Sequence, residues 1–471
     1  MMRRSWLFAL AFLVVSLVAT GAQADDARRS LTLDEVLAST DRSHPLLDAA
    51  ATERDVAAGD VQSAEGAFDV AWRTRGTIVP LGGYPSGRID SVIEVPTPFW
   101  GLTMFSGYRW GSDSFAPYDE KLETNEIGEV RAGATLPFWR NGPIDRRRAN
   151  IARAEIGRDV AELSVAERRL ELRRAASVRY WDWVGAGKRL ALAKQALEVA
   201  LARDADIASR AASGDIPAIE KTENARAILQ RRQQVVSAER ALTQASLELS
   251  LYYRDRDGEP ILPLAHQLPG EIPSPGFVRP LSKAAVTESL GRRPEMARLG
   301  LLRAQGAVER EWARNQRAPA IDLTVIGSQD FGDGNEKRRP FELEVSLLVD
   351  IPLEMNVAEG RVRAADAQLA RVEAQARFAA DQIGAQVLDA ENALARSFER
   401  VEIAQSELRV ARELEVGERD RFELGDSTLL FVNLREQASL EAGLREVDAI
   451  VDFHKARAVL EAVTASAPAP R

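Results

Sequence analysis

The sequence contains no cysteine. A chain without cysteine has no disulfide bonds, and it has no cysteine through which a lipid anchor could be attached. Histidine is scarce as well, since His44, His266 and His454 stand far apart and show no metal-ligand spacing. The sequence also lacks a Gly-x-Ser-x-Gly motif and a phosphate-binding glycine-rich loop. We therefore expect no enzyme activity, no catalytic residue, no cofactor and no metal ion.

Long apolar runs are missing from most of the chain, and the exception lies at the N-terminus. Two arginines, Arg3 and Arg4, precede an apolar run over residues 6–19 and the small-residue site Ala22-Gln23-Ala24. This order is typical of a secretory signal peptide, so we expect residues 1–24 to be cleaved before Asp25. A membrane-spanning helix needs roughly 20 apolar residues, which the rest of the sequence does not provide.

Positive charge is not in excess. Removal of the two leader arginines leaves 60 basic and 71 acidic residues, a net charge of −11. This balance argues against nucleic acid as a partner. Aromatic residues make up only 6% of the sequence, which is rich in Ala, Leu, Val, Arg and Glu. Such a composition favours long, thin helices over a thick globular core.

The sequence is internally duplicated. A Leu-rich start at Leu31 is followed by His44-Pro45, and a similar start at Leu281 is followed by Arg293-Pro294. The motif Arg210-Ala-Ala-Ser-Gly214 recurs as Arg421-Phe-Glu-Leu-Gly425. The first copy holds 39 more residues between these landmarks than the second, because the offsets are 250 and 211 positions. Most of the excess lies within residues 84–125.

Each repeat is predicted to contain one very long helix and two shorter ones. In the first repeat, residues 25–254, the predicted helices and strands are helix 32–67, strands within 69–138, long helix 145–210 and helix 217–253. In the second repeat, residues 281–464, they are helix 282–316, strands within 319–352, long helix 358–424 and helix 428–464. Residues 255–280 are predicted to be a proline-rich linker between the repeats, and residues 465–471 a disordered tail. A narrow seam of leucines on otherwise charged long helices predicts coiled-coil packing.

The predicted strands have one apolar and one polar face. From Phe341 to Ile351 every odd position is apolar, and the even positions are polar except Leu348. In an exported protein of long helices, this alternation indicates a sheet between lipid and water. Four such strands cannot close a barrel around a channel, so the chain must assemble with copies of itself, and three copies would give twelve strands. Residues 84–125 would add a further hairpin, giving six strands per chain, or would form an external loop; the sequence leaves both open.

In these features the chain resembles the TolC-type outer-membrane efflux proteins. The resemblance is carried by the duplicated helix starts, by strands that end at Leu136-Pro137 and Ile351-Pro352 before a long helix, and by the Arg-x-x-x-Gly motifs. It implies an α+β membrane protein, a homotrimer with a β-barrel in outer-membrane lipid and an α-helical coiled-coil barrel across the periplasm. It also implies a passive channel in the outer membrane of a Gram-negative bacterium. The implied partners are a periplasmic adaptor (membrane fusion) protein and an inner-membrane pump, in tripartite efflux or type I secretion.

The resemblance places adaptor docking and gating at two periplasmic turns. The candidate residues are Arg210, Gly214, Asp215, Glu220, Arg421, Gly425, Asp426 and Phe431. The aspartates that narrow well-known channels of the family are absent from residues 428–434. We therefore expect an apolar seal around Phe431, with Asp426 as the nearest acidic candidate.

A second interpretation is a periplasmic coiled-coil tether without a pore. The alternating strands argue against it, because a tether has no use for a lipid-facing sheet. Within the channel interpretation, the sequence leaves the cargo, the pump and the adaptor open.

Overall fold

A computed structural model describes residues 29–113, 115–276 and 283–465 of the protein. Within these ranges the α-helices are α1 Leu33–Ser43, α2 Pro45–Glu65, α3 Arg146–Ala202, α4 Asp204–Ser213, α5 Ala218–Ser250, α6 Lys283–Arg292, α7 Pro294–Asn315, α8 Asn356–Glu423 and α9 Leu429–Val463. The strands are β1 Ala71–Val79, β2 Ser86–Pro96, β3 Thr103–Asp113, β4 Gly128–Pro137, β5 Ala320–Phe331 and β6 Glu342–Asp350. Short 3₁₀ helices lie at Gly66–Phe68, Pro117–Leu122, Ala265–Gln267 and Glu336–Arg338.

The chain forms two compact units. Among the described residues, the helical unit comprises those up to Ala49, those within Ala166–Pro294 and those from Ala380 onward, and the sheet unit comprises those within Ala50–Val165 and Glu295–Ala379. The expected α+β class with very long helices is confirmed, since α8 alone has 68 residues. None of the helices in the described ranges has the length and apolar composition needed to cross a membrane.

Three helices predicted as continuous are interrupted, so the predictions of single helices at 32–67, 282–316 and 145–210 were wrong. The first two are interrupted before Pro45 and Pro294. Proline has no N–H to donate and forces the preceding residue into an extended conformation, and His44 has ψ 123°. The third is interrupted at Arg203, between α3 and α4.

The six strands form one antiparallel sheet in the order β1-β2-β3-β4-β5-β6. The segment that the sequence left open forms β2 and β3, a hairpin between β1 and β4 rather than an external loop. The lower count of four strands per chain is therefore wrong, and the count of six is correct within the described residues. Alternation in β2 and β3 is less strict than in β6, because Val92 and Phe105 lie on the charged face and Ser91 and Ser106 lie on the apolar face.

Every charged residue of the six strands whose side chain the structure describes lies on the same face of the sheet. Residues that are directly opposite each other in an antiparallel pair share a face, so the register assigns each position to one side. The apolar face carries Trp72, Ile78, Ile89, Ile93, Val95, Met104, Tyr108, Val130, Leu136, Ile321, Leu323, Val325, Leu343, Val345, Leu347 and Val349. The charged face carries Arg73, Arg75, Arg88, Asp90, Glu94, Arg109, Glu129, Arg131, Asp322, Asp330, Glu342, Glu344 and Asp350.

Ion pairs connect β2, β3 and β4 on the charged face. The Asp90 carboxylate lies 3.3 Å from Arg88, 3.4 Å from Arg109 and 2.6 Å from Arg131, and Arg109 lies 3.6 Å from Glu129. The inserted hairpin is therefore joined to β4 by side chains as well as by backbone hydrogen bonds.

In the helical unit the described part of the linker packs on the helices. The Leu31 N–H donates to the Gln267 carbonyl at 2.8 Å, and Leu268 contacts the core around Trp183. The His454 ring stacks on Trp181 with centroids 4.0 Å apart and donates from Nε2 to the Pro273 carbonyl at 2.9 Å. Burial lowers the pKa of His454, so the ring is neutral here. The predicted signal peptide 1–24, linker residues 277–280 and all of the predicted tail except Ala465 lie outside the described residues.

Candidate functional site

The two Arg-x-x-x-Gly motifs form the turns between consecutive helices. Gly214 ends α4 with φ 85°, and Gly425 follows α8 with φ 84°. The Asp215 N–H donates to the Arg210 carbonyl at 3.0 Å, and the Asp426 N–H donates to the Arg421 carbonyl at 2.8 Å. Both turns therefore close in the same way, with a left-handed residue after the helix that glycine adopts without strain.

A carboxylate of the first turn caps a helix of the second. Glu220 is buried, and its Oε2 accepts the backbone N–H of Leu429, the first residue of α9, at 3.2 Å. A negative charge at this position satisfies an otherwise unpaired donor and interacts favourably with the helix dipole. Glu220, a candidate from the sequence, thus ties the first turn to the second.

An apolar cluster lies beneath both turns. It is formed by the buried side chains Ile207, Ile216, Leu429 and Val432, with Ala211 and Phe422 packed against them. The Arg210 guanidinium lies over the Phe422 ring at 5.4 Å, so this arginine also reaches across to the second turn. We call the two turns with this cluster and the Glu220 cap the tip.

The remaining candidates lie on the surface of the tip. Arg421 donates to the Asp426 carbonyl at 3.2 Å, within its own turn. Asp215 accepts a hydrogen bond from the Ser213 hydroxyl at 2.9 Å. Phe431 is 51% exposed, next to the buried Val432. The structure brings all eight candidates into these two turns and the adjoining ends of α5 and α9.

A cluster of ion pairs around one buried carboxylate adjoins the tip. The Glu436 carboxylate on α9 contacts Arg203 at 2.7 Å, Arg231 on α5 at 2.6 Å and Arg419 on α8 at 3.3 Å. Arg203 also donates to Asn433 at 2.6 Å. We call these four charged residues the Glu436 cluster. It joins the residue between α3 and α4 to three further helices.

The electrostatics of the Glu436 cluster favour the charged carboxylate. The Glu436 and Arg231 side chains are each 5% exposed. Burial raises the pKa of the Glu436 carboxyl, but hydrogen bonds and charge from Arg203 and Arg231 lower it by more, and the net pKa lies below its ordinary value. An ionised Glu436 is therefore stable at neutral pH only while its arginines stay in place.

Sequence reasoning missed the Glu436 cluster. On an otherwise charged long helix, composition does not distinguish Arg203 from solvent-exposed arginines, yet the Arg203 side chain is only 18% exposed. The one local signal is the interruption of a long helix at Arg203. No group of metal-binding side chains occurs in the part of the chain that the structure describes.

The turn geometry predicts that Gly425→Ala lowers the free energy of unfolding by about 1 kcal/mol, because an L side chain is strained at positive φ. A Cβ at Gly425 meets no atom within 4 Å, so the effect reports backbone strain alone. The matched control is Gly417→Ala in α8, where a Cβ also meets nothing and φ is not positive. That change should stabilise the helix. Denaturation midpoints of the two variants test this, and equal shifts would contradict it.

The Glu436 cluster predicts that Glu436→Gln lowers the free energy of unfolding by about 3 kcal/mol at pH 7, because buried arginines lose their counter-charge. Glu441→Gln on the same helix is the control, since the Glu441 side chain is 51% exposed. Its effect should stay below about 0.5 kcal/mol.

The same variant has a predicted pH dependence. The contribution of Glu436 is fully present above the ordinary pKa of a glutamate and is lost as the pH falls through the lowered pKa. Wild type and Glu436→Gln should therefore converge in stability in acid. Denaturation curves measured across this range check the prediction, and a constant difference at all pH values would refute it.

Comparisons with solved structures agree on one architecture. A membrane protein from Pseudomonas aeruginosa matches with TM-score 0.66 at 17% identity, over 92% of this chain and 93% of its own. The outer membrane protein VceC of Vibrio cholerae matches with TM-score 0.65 at 14% identity, over 92% and 95%. The MtrE outer membrane channel of Neisseria gonorrhoeae matches with TM-score 0.65 at 15% identity, over 92% and 88%.

By sequence, no family model and no curated protein matches the chain. The structural likeness covers both repeats and the sheet, because the matches extend over 92% of the chain. The protein therefore has the fold of the TolC-type outer-membrane channels.

Proposed function

We propose that the protein is the outer-membrane channel of a tripartite efflux or type I secretion system. It conducts cargo passively from an inner-membrane pump and a periplasmic adaptor to the outside of a Gram-negative cell. Three copies form the channel, which catalyses no reaction and uses no cofactor. The fold supports this proposal, because similar structures include proteins described as outer membrane channels.

The observation that carries the proposal is the separation of apolar and charged side chains across the sheet. On β6, Leu343, Val345 and Leu347 are each at least 60% exposed. An exposed apolar face that extends over six strands needs an apolar environment, and lipid provides it. The opposite face carries all the charges of the strands, as a water-filled lumen requires.

The alternative, a periplasmic tether without a pore, gives this face no partner. A tether made of coiled helices also has no use for a sheet with one wholly uncharged side. The channel is therefore the better supported function.

Two neighbouring substitutions on β5, which pairs with a strand on each side, test the location of the apolar face. Val325→Arg places a charge on that face and should cost about 2–4 kcal/mol in the membrane. Thr324→Arg, one residue earlier, places the same charge on the opposite face and should be tolerated. We expect Val325→Arg to reduce the amount of protein in isolated outer membranes strongly, and Thr324→Arg to leave it near that of wild type.

The wild-type protein, extracted in detergent, should have a mass of about three chains by light scattering. It should also shift in mobility on heating, as outer-membrane barrels do. A soluble periplasmic monomer, or equal behaviour of the two arginine variants, would overturn the proposal.

We propose further that the tip is the gate and the adaptor-docking site. Arg421 and Phe431 support this proposal because both are exposed on the surface of the tip, whereas Arg210 is half-buried against Phe422. The stretch from Thr428 to Leu434 contains no acidic residue, so the closed state would be sealed by apolar side chains around Phe431.

The apolar seal predicts that Phe431→Ala raises the closed-state conductance in planar lipid bilayers, because removal of the ring opens a path for water and ions. Phe431→Leu keeps an apolar side chain of similar reach and serves as the control, with conductance close to wild type. Unchanged conductance in Phe431→Ala would remove this residue from the gate.

A further inference from the structure

The sheet has two open edges. In the order β1 to β6, β1 pairs only with β2 and β6 pairs only with β5, within the residues that the structure describes. Each edge therefore presents a row of backbone N–H and C=O groups without a strand partner. In hydrocarbon such groups cost several kcal/mol each, so a lipid-facing sheet must close.

The strands are staggered as they are in a closed barrel. The row of paired residues that starts at Ser346, the middle of β6, passes through Thr324, Thr135, Thr103 and Pro96. Continued to β1, this row arrives at position 69, six residues before Arg75 in the middle of β1. The stagger is thus six residues over five steps between strands.

This stagger corresponds to a definite strand tilt. At about 3.3 Å per residue and about 4.8 Å per strand, it amounts to roughly 20 Å along the strands for roughly 24 Å across them. The resulting tilt is about 40°, within the range of outer-membrane barrels. The inserted strands β2 and β3 follow the same stagger, so they belong to the same wall.

The two edges are complementary in charge. Strand β1 carries Arg73 and Arg75 and no acidic residue, whereas β6 carries Glu342, Glu344 and Asp350 and no basic residue. Arg75, Glu342 and Glu344 are exposed. No ion pair links any of these three to another residue in the described ranges.

We propose that β1 of one chain pairs in antiparallel fashion with β6 of a second copy, and that three copies close a barrel of 18 strands. The number of copies rests on the proposed function, and the number of strands per chain rests on the sheet. Four strands per chain would give twelve strands, and the inserted hairpin raises the number to 18 because it is part of the wall.

The proposed pairing of β1 with β6 of the next copy can adopt few registers. The alternation of side chains requires an even stagger per chain, and six or eight residues continue the observed tilt. A stagger of six places Arg75 opposite Ser346 and diagonal to Glu344. A stagger of eight places Arg73 opposite Asp350, although within its own chain Arg73 already contacts Glu94 and Asp350 already contacts Arg140. Either register brings an arginine of one copy to an acid of the next, which favours pairing between copies.

The consequence is a wide outer-membrane opening. Barrel diameter grows roughly linearly with strand number, so 18 strands give about 1.5 times the diameter of twelve, in the range of barrels that enclose an aqueous channel. Cargo that passes the tip is then not limited by the barrel.

Because the native chain has no cysteine, introduced cysteines report pairing without background. Thr77→Cys combined with Glu344→Cys tests the stagger of six, and Thr77→Cys combined with Ser346→Cys tests the stagger of eight. In isolated outer membranes, one of these two pairs should form reducible bands at two and three chain masses. The single variants should form none.

Two pairs within the chain test whether the hairpin lies in the wall. Thr74→Cys with Ser91→Cys spans β1 and β2, and Ser106→Cys with Ala132→Cys spans β3 and β4. On oxidation, both double-cysteine variants should lose their free thiols in assembled trimers. No disulfide-linked bands at two or three chain masses should appear.

The outcomes separate this inference from the proposed function. Outer-membrane trimers that lack cross-links between β1 and β6, or keep free thiols at the β1–β2 pair, overturn the 18-stranded barrel alone. Protein that is absent from the outer membrane overturns both.

Discussion

Unpaired backbone groups at the edge of a sheet are tolerated in water but not in hydrocarbon, and this constraint governs the assembly of the protein. The sheet unit presents an uncharged face on all six strands together with two open edges. The first feature requires lipid, and the second requires another strand on each side. Within one chain the edges β1 and β6 do not meet. These two features together support the proposed assembly from several copies.

The helical unit satisfies a different requirement. Long helices gain their stability from packing along one another, and their ends must still find partners for the last backbone groups. At the tip, Glu220 provides one such partner and Gly214 and Gly425 provide the turn geometry. The Glu436 cluster nearby holds four chain segments together through one buried carboxylate. Removal of one member leaves a buried charge uncompensated. A partial rearrangement of this region is therefore energetically costly.

The sequence predicted the features that depend on local patterns. Strict alternation from Phe341 to Ile351 indicated the two faces of β6, and the paired glycines indicated the turns. The strands β2 and β3 were left open because Val92 and Phe105 weaken the alternation. The helix interruptions at Pro45 and Pro294 were missed because the helical period continues on both sides of each proline.

The Glu436 cluster could not be predicted from the sequence, for a different reason. Glu436 lies more than 200 positions from Arg203 and Arg231, and no spacing along the chain connects them. A buried ion pair and a solvated one have the same composition, so only the fold distinguishes them. In the same way, the stagger that gives the strand tilt belongs to the register of five strand pairs and to no single segment.

The central claim is that the sheet closes through copies of itself with every strand in the wall. An electron cryomicroscopy map of the full-length protein, reconstituted in lipid nanodiscs, measures this directly by counting strands. The account predicts a three-fold barrel of 18 strands in which β1 of each chain adjoins β6 of the next. A barrel of twelve strands with residues 86–113 outside the wall, or a particle without a barrel, would contradict it.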